Sequence, residues 1–243
     1  ALGFMIGTGG TAIVARTLGE GDPDRANRYF SMLVYTSVLS GIVLTVIGLF
    51  LLRPISIFLG ASGTMLEDCV LYGRIILLGL PSYMLQNVFQ SFFVSAEKPK
   101  LGLAVTVAAG VTNIVLDALF VAVFHWGLAG AAIATALSQT VGGIIPIFYF
   151  ARKNSSLLHL TKTRFYGRVL LQTCLNGSSE LMSSISASVV TLLYNFQLMR
   201  LAGEDGIAAY GVIMYVSFIF AAIFIGYAVG SAPIVSFHYG AGH

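Results

Sequence analysis

Of the ten Asp and Glu residues in this 243-residue chain, only Asp117 and Glu180 lie well inside long apolar runs. The other eight stand at the ends of such runs or between them. A carboxylate in an apolar interior costs several kcal/mol unless it is protonated, paired or bound to a cation, so both are candidates for function. Asp117 has polar company. Asn113 precedes it by one helical turn, and Thr106 and Gly110 extend the same face. His125-Trp126-Gly127 reads as a tight hairpin, across which positions whose numbers sum to 252 share a depth. Asp117 then faces Thr135 and Asn113 faces Gln139, the first pair about 11–13 Å from the turn. The returning run is rich in Gly and Ala, which lets the two backbones approach closely. Carboxylate, amide and hydroxyl oxygens gathered this way suit a hard cation such as Na+, and a desolvated carboxylate can carry a proton instead. The alternative is a polar network that only joins two helices.

Glu180 lies about 18 Å from the cytoplasmic start of its run, near the midplane. It belongs to a stripe of Thr173, Asn176, Gly177, Ser183, Ser184, Ala187 and Thr191. A second stripe, Pro81, Tyr83, Gln86, Asn87, Gln90 and Ser91, repeats at three- and four-residue spacing. Stripes this polar avoid lipid, and the expectation is a shared cavity. Glu180, Gln86, Asn87, Asn176 and Gln139 are its candidate substrate or proton residues; packing alone is the alternative for the Ser, Gln and Asn residues. No catalytic set accompanies them. The chain lacks a Gly-rich phosphate loop with Lys, a His-Glu-x-x-His and a paired-Asp motif, and His125, His159, His238 and His243 form no metal set. No cofactor is expected beyond a coupling ion.

These side chains must be positioned by membrane helices. The chain is 57% hydrophobic and 9% charged, with mean hydropathy +0.88, against about 45–50% and about 25% in soluble domains. A soluble enzyme, a nucleic-acid binder and a disordered chain are therefore excluded. Seven runs are long enough to span: roughly 1–18, 29–52, 70–95, 101–124, 127–151, 168–199 and 207–238. The last two exceed the bilayer and must tilt, bend or protrude. The fold class is an all-α, polytopic helical bundle. Ten of the thirteen Lys and Arg residues fall near 19–28, 96–100 and 152–168, and Arg53, Arg74 and Arg200 fall on the other side. The excess places the first set in the cytoplasm of a multi-pass cell-membrane protein. Cys69 and Cys174 are expected as free thiols on different levels.

Residues 152–168 form the longest connection and a basic one, a cytoplasmic linker resting on anionic lipid or a specific head-group site. The ends of the chain also repeat. Residues 9–21 lie on residues 230–242 at an offset of 221 with five of thirteen identities. Both copies leave the membrane on the cytoplasmic side, which implies two six-helix halves related by an axis along the membrane normal. The chain opens without Met inside one apolar run and stops just after another, and reads as a piece of a longer protein.

The ordered motifs Gly19-Glu20-Gly21-Asp22 with Ala26, Gly79-Leu80-Pro81, Lys98-Pro99-Lys100, Asn113-Ile114-Val115-Leu116-Asp117, Gly127 to Thr135, and Pro233 to Gly242 carry a likeness. With them the chain resembles the multidrug and toxic compound extrusion (MATE) family, from its second helix to its eighth. The resemblance implies a two-lobe transporter of about twelve helices, working by alternating access, that exports cationic or amphipathic compounds in exchange for Na+ or H+. It implies residues 1–153 as the first lobe without its first helix, 154–167 as a cytoplasmic linker, and 168–243 as the start of the second lobe. It places a cation site on Asn113, Asp117 and Thr135, with a further Asp expected from the absent first helix. Glu180 is similar to the seventh-helix carboxylate, although Asn176-Gly177-Ser178-Ser179 departs from the family's Pro-containing version. Expected partners are small amphipathic substrates and membrane lipids, with no nucleic acid, and the full-length protein is expected to work as a monomer. A lipid-precursor flippase of the same superfamily is the alternative, disfavoured because no Lys or Arg lies deep in a helix; an integral membrane enzyme is more remote.

Overall fold

A computed structural model describes residues 2–58, 61 and 63–241. Ala1, Gly242 and His243, and the side chains of Glu204 and Asp205, lie outside the described residues. The chain folds into α1 (Leu2–Gly19), α2 (Pro23–Phe58), α3 (Gly63–Ser95), α4 (Pro99–Asp117), α5 (Gly127–Ala151), α6 (Gly167–Asn176) and α7 (Ser178–Gly240). A π-helical stretch, Ala118–Val123, continues α4 to the hairpin. Gly203, at φ 63 and ψ −151, breaks α7 into two arms, 178–202 and 204–240.

Among the described residues six stretches are long and apolar enough to cross a membrane: α2, α3, α4 with its π extension, α5 and one in each arm of α7. α1 adds eighteen residues, about 27 Å of helix. Their outer faces carry large apolar side chains such as Phe50 (79% exposed) and Phe224 (74% exposed), as lipid contact requires. Inside, Phe30, Phe89, Phe92, Phe93 and Phe150 make a buried aromatic cluster where α2, α3 and α5 meet, with Phe30 edge-on to Phe92 at 5.0 Å. The run expected at 168–199 is not one helix. It breaks at Gly177, whose Cα lies against the Met5 carbonyl of α1 so closely that a methyl group there would collide with it.

A membrane interior offers no water to a freed backbone group. Pro81 lacks the N–H that would bond the Leu77 carbonyl one turn earlier. The Thr45 hydroxyl of α2 donates to that carbonyl instead, at 2.8 Å. Thr45→Val is expected to lower stability by about 1 kcal/mol, read as a lower Tm, with Thr45→Ser close to wild type; an unchanged Tm for Thr45→Val would remove the bond from this account.

The motif after α1 is explained by its geometry. Gly21 has φ +80, Asp22 caps α2 by accepting from the Arg25 N–H at 3.0 Å, and Ala26 is fully buried. Glu20 binds Arg16 at 3.1 Å and Arg25, so the turn is cross-tied by charge.

The ends of α1 and α7 meet reciprocally. Gly19 packs on the Phe237 carbonyl, and Gly240 packs on the Arg16 carbonyl; only hydrogen fits at either Cα. Adding 221 to Arg16 and Gly19 gives Phe237 and Gly240. The offset seen in the sequence is therefore also a contact in which each copy touches its counterpart's equivalent position, as across a two-fold axis.

Candidate functional site

The buried stripe of α4 runs through Gly102, Val105 and Ala109 and is prolonged by half-buried Asn113 and Asp117. Thr106 and Gly110, expected on that face, are exposed on its flank, and the Thr106 hydroxyl donates to the Gly102 carbonyl at 2.9 Å. Opposite lies the small-residue face of α5, with Gly130, Ala132, Ala134 and Ser138 buried. At the hairpin the Trp126 ring stacks on Phe120 at 5.1 Å, and the Trp126 backbone N–H donates to the Phe120 carbonyl.

Among the described residues, eight buried side-chain nitrogen or oxygen atoms lack a hydrogen-bond partner. Three of them are Asn113 Nδ2, Asp117 Oδ1 and Gln139 Oε1. Asn113 and Asp117 offer a donor and an acceptor one turn apart, yet they do not bond each other. A network that only joins helices would use these atoms. Here they stand open. Two are acceptors, and turning the Asn113 amide over would make a third, because which end of an amide carries the oxygen is an assignment. A buried, unpartnered carboxylate oxygen with an unpartnered amide one turn away fits a cation or a proton. Gln139 Oε1 also lies beside Gly79 of α3, 3.3 Å from where a methyl group would stand.

Thr135 is placed differently from the expectation. Gly130 packs directly on Phe120, a pair whose numbers sum to 250, so Thr135 lies about 3 Å deeper than Asp117 rather than level with it. The cause is the π turn beginning just after Asp117, which advances less per residue than an α turn. The Thr135 carbonyl accepts from the Ser138 hydroxyl at 2.8 Å.

The α3 stripe divides between neighbours. Gln90 and Ser91 line a cavity of about 540 Å³ with Phe4, Thr106 and the second arm of α7, whereas other members of the stripe pack on α1 and α5. Asn87 is buried beside Gly3, with its amide donating to the Tyr83 carbonyl at 2.9 Å, and Ser91 meets Gly7. Gln86 lies over Gly142, and Ser82 meets Thr140 and Gly143. Glu180 is exposed at the third position of α7. Asn176 is exposed and lines a cavity of about 580 Å³ where the end of α1 meets the end of α7, with Gln172, Arg16, Glu20, Arg25 and Tyr239. Arg16 sits over the Tyr239 ring at 5.3 Å, tying α1 to the end of α7. Sequence reasoning missed Gly3, Gly7, Gly142 and Gly143; the signal was present, since Gly3 and Gly7 form a G-x-x-x-G pair.

The MatE family model matches residues 1–119. Over 240 residues the chain is 28% identical to the multidrug export protein MepA of Staphylococcus haemolyticus (strain JCSC1435), covering 98% of this chain and 53% of that protein. The MepA of Staphylococcus saprophyticus is 27% identical over 239 residues, with the same coverage. Residues 1–119 thus carry a MatE domain.

The fold of the chain is that of solved MATE structures. An outward-facing multidrug resistance MATE family transporter of the MOP superfamily superposes with a TM-score of 0.89 at 23% identity, over 99% of this chain and 54% of that one. The chain thus spans about half the length of the curated relatives it matches. With its six spans it is a multi-pass protein of the cell membrane.

Proposed function

We propose that this chain supplies the first lobe, the linker and the opening of the second lobe of a cation-coupled exporter of cationic or amphipathic compounds. Relatives named as multidrug export proteins support export, and they favour transport over membrane enzymology. The observation that carries the coupling is the buried, unpartnered Asp117 Oδ1 at the α4–α5 face, with Gln139 Oε1 and Asn113 Nδ2 also open.

Asp117 takes up Na+ or H+ from outside. The cation neutralises the carboxylate, Asn113 one turn away supplies a neutral oxygen with its amide turned over, and Thr135 a hydroxyl from deeper in α5, while Gln139, deeper still, is a candidate for substrate or proton. Occupancy biases one arrangement of the lobes, and substrate entering from the cytoplasm favours the other, so the two exchange by alternating access. Glu180 and Asn176, exposed on the α6–α7 side, offer a second acidic and polar position for substrate. The flippase reading needs cations to hold a diphosphate, and the open atoms here are mostly acceptors.

The full-length protein in proteoliposomes tests this. A fluorescent cationic dye is expected to move against its gradient when a Na+ or a proton gradient is imposed, and to stop when that gradient is collapsed. Dye movement indifferent to both gradients would refute the coupling.

A further inference from the structure

The linker is not a loose tether. Its backbone N–H groups at His159 and Thr161 donate to Asn27 Oδ1 and Ser31 Oγ of α2, both at 2.8 Å. Asn27 and Ser31 are one turn apart, a rise of about 6 Å, close to the advance of two extended residues. The Thr163 hydroxyl donates to the Arg28 carbonyl at 2.7 Å, the Tyr166 N–H reaches Met32 S at 3.1 Å, and Tyr166 packs edge-on against Tyr29 at 5.2 Å. Leu158 is wholly buried.

Pinned this way, the linker forms one wall of a cavity of about 430 Å³ against the first turns of α2, lined by Arg28, Lys162, Thr163, Arg164 and Tyr166. Three of its five lining residues are cations, and among the described residues no acid lines it. Asp24 precedes Arg28 by one turn but does not pair with it, and none of the three cations forms an ion pair among the described residues. Other cations of this face do: Arg16 and Arg25 are held by Glu20, and Arg25 also by Asp22. Like charges held around one concavity by a fixed backbone repel each other unless an anion sits between them. Next to the cavity Phe165 is 73% exposed, an apolar ring at the level where spanning helices meet the interface.

We propose that Arg28, Lys162 and Arg164 bind the phosphate of an anionic phospholipid of the cytoplasmic leaflet. The guanidinium groups are suited to paired hydrogen bonds with phosphate oxygens, and the ammonium adds a point charge. Phe165 lies against the glycerol and upper acyl region. Phosphate chemistry alone would also suit a soluble anion; the exposed ring favours lipid.

The test is native mass spectrometry of the full-length protein in detergent, titrated with dioctanoyl phosphatidylglycerol, dioctanoyl phosphatidylcholine or inorganic phosphate. Wild type is expected to retain phosphatidylglycerol over phosphatidylcholine. Arg28→Gln with Arg164→Gln should weaken retention about 25-fold, about fivefold for each cation near the surface. Lys98→Gln with Lys100→Gln, which removes two cations of the same face elsewhere, should leave retention unchanged. Lys162→Gln alters one exposed side chain without touching the hydrogen bonds that pin the linker, so a fivefold loss there serves if the double variant does not fold. Equal retention by the cavity variants, or equal loss in the Lys98 and Lys100 control, overturns the site. Displacement of the lipid by equimolar inorganic phosphate overturns the assignment to lipid.

Discussion

Asp117→Asn is expected to reduce gradient-driven dye export by the full-length protein to background while raising its thermal stability. Both effects follow from one observation: Asp117 Oδ1 is buried and has no donor. An ionised carboxylate in that position is held at a cost, and replacing it with an amide of the same shape removes the charge and much of that cost. The expected gain is about 1–3 kcal/mol, seen as a higher Tm in Na+-free buffer. Export falls because the amide can neither be neutralised by a proton nor attract a monovalent cation. If Na+ is the coupling ion, added Na+ should raise the Tm of wild type and not of Asp117→Asn. Undiminished export by a well-folded Asp117→Asn protein would remove Asp117 from the mechanism. A lower Tm would mean that Asp117 is partnered in the native membrane and serves structure.

The second large effect concerns the contact between the repeat copies. Gly19 and Gly240 each abut a carbonyl of the other helix, Phe237 and Arg16, leaving room for hydrogen only. Backbone cannot step aside as a flexible side chain can, so Gly19→Ala and Gly240→Ala must push α1 and the second arm of α7 apart. Each is expected to cost about 3 kcal/mol, and the near symmetry of the contact predicts similar losses at the two sites. Gly211, in the same arm of α7 with nothing within 4 Å of an added methyl, is the contrast. There the better helix propensity of Ala should stabilise by up to about 1 kcal/mol. Tm measurements on the three variants check the sign of each effect. Equal behaviour of Gly19→Ala and Gly211→Ala would dismiss the close contact.

Helix positions were legible because apolar runs bounded by charge state their own lengths. Asp117 was legible because a carboxylate in such a run is rare, and Asn113 because it stands one helical turn away, where its amide is also open. Glu180 was legible as an anomaly, but its surroundings were not. The α3 stripe of Gln86 and Asn87 was expected to face it, and instead Asn87 packs beside Gly3 and Gln86 over Gly142. A polar stripe shows that a face avoids lipid without saying which neighbour covers it; close packing at small residues decided that. Thr135 is the finer case. Its spacing from the hairpin was counted in α-helical steps, and the π turn at Ala118–Val123 moved the register by two residues.

By itself the sequence determined that this chain crosses a membrane many times, on which set of connections its positive charge gathers, and that its ends repeat at an offset of 221. These follow from local quantities: apolar length, the side on which charge accumulates, and identity at a fixed separation. Only the tertiary structure decided that the linker is zipped to Asn27 and Ser31, that three unpaired cations surround one cavity, and that Gly19 and Gly240 meet their counterparts' carbonyls. The physical reason is the same in each case. Hydrogen bonds and contacts between residues more than a hundred positions apart depend on where whole helices dock, and that is fixed by the sum of many side-chain fits rather than by any one segment.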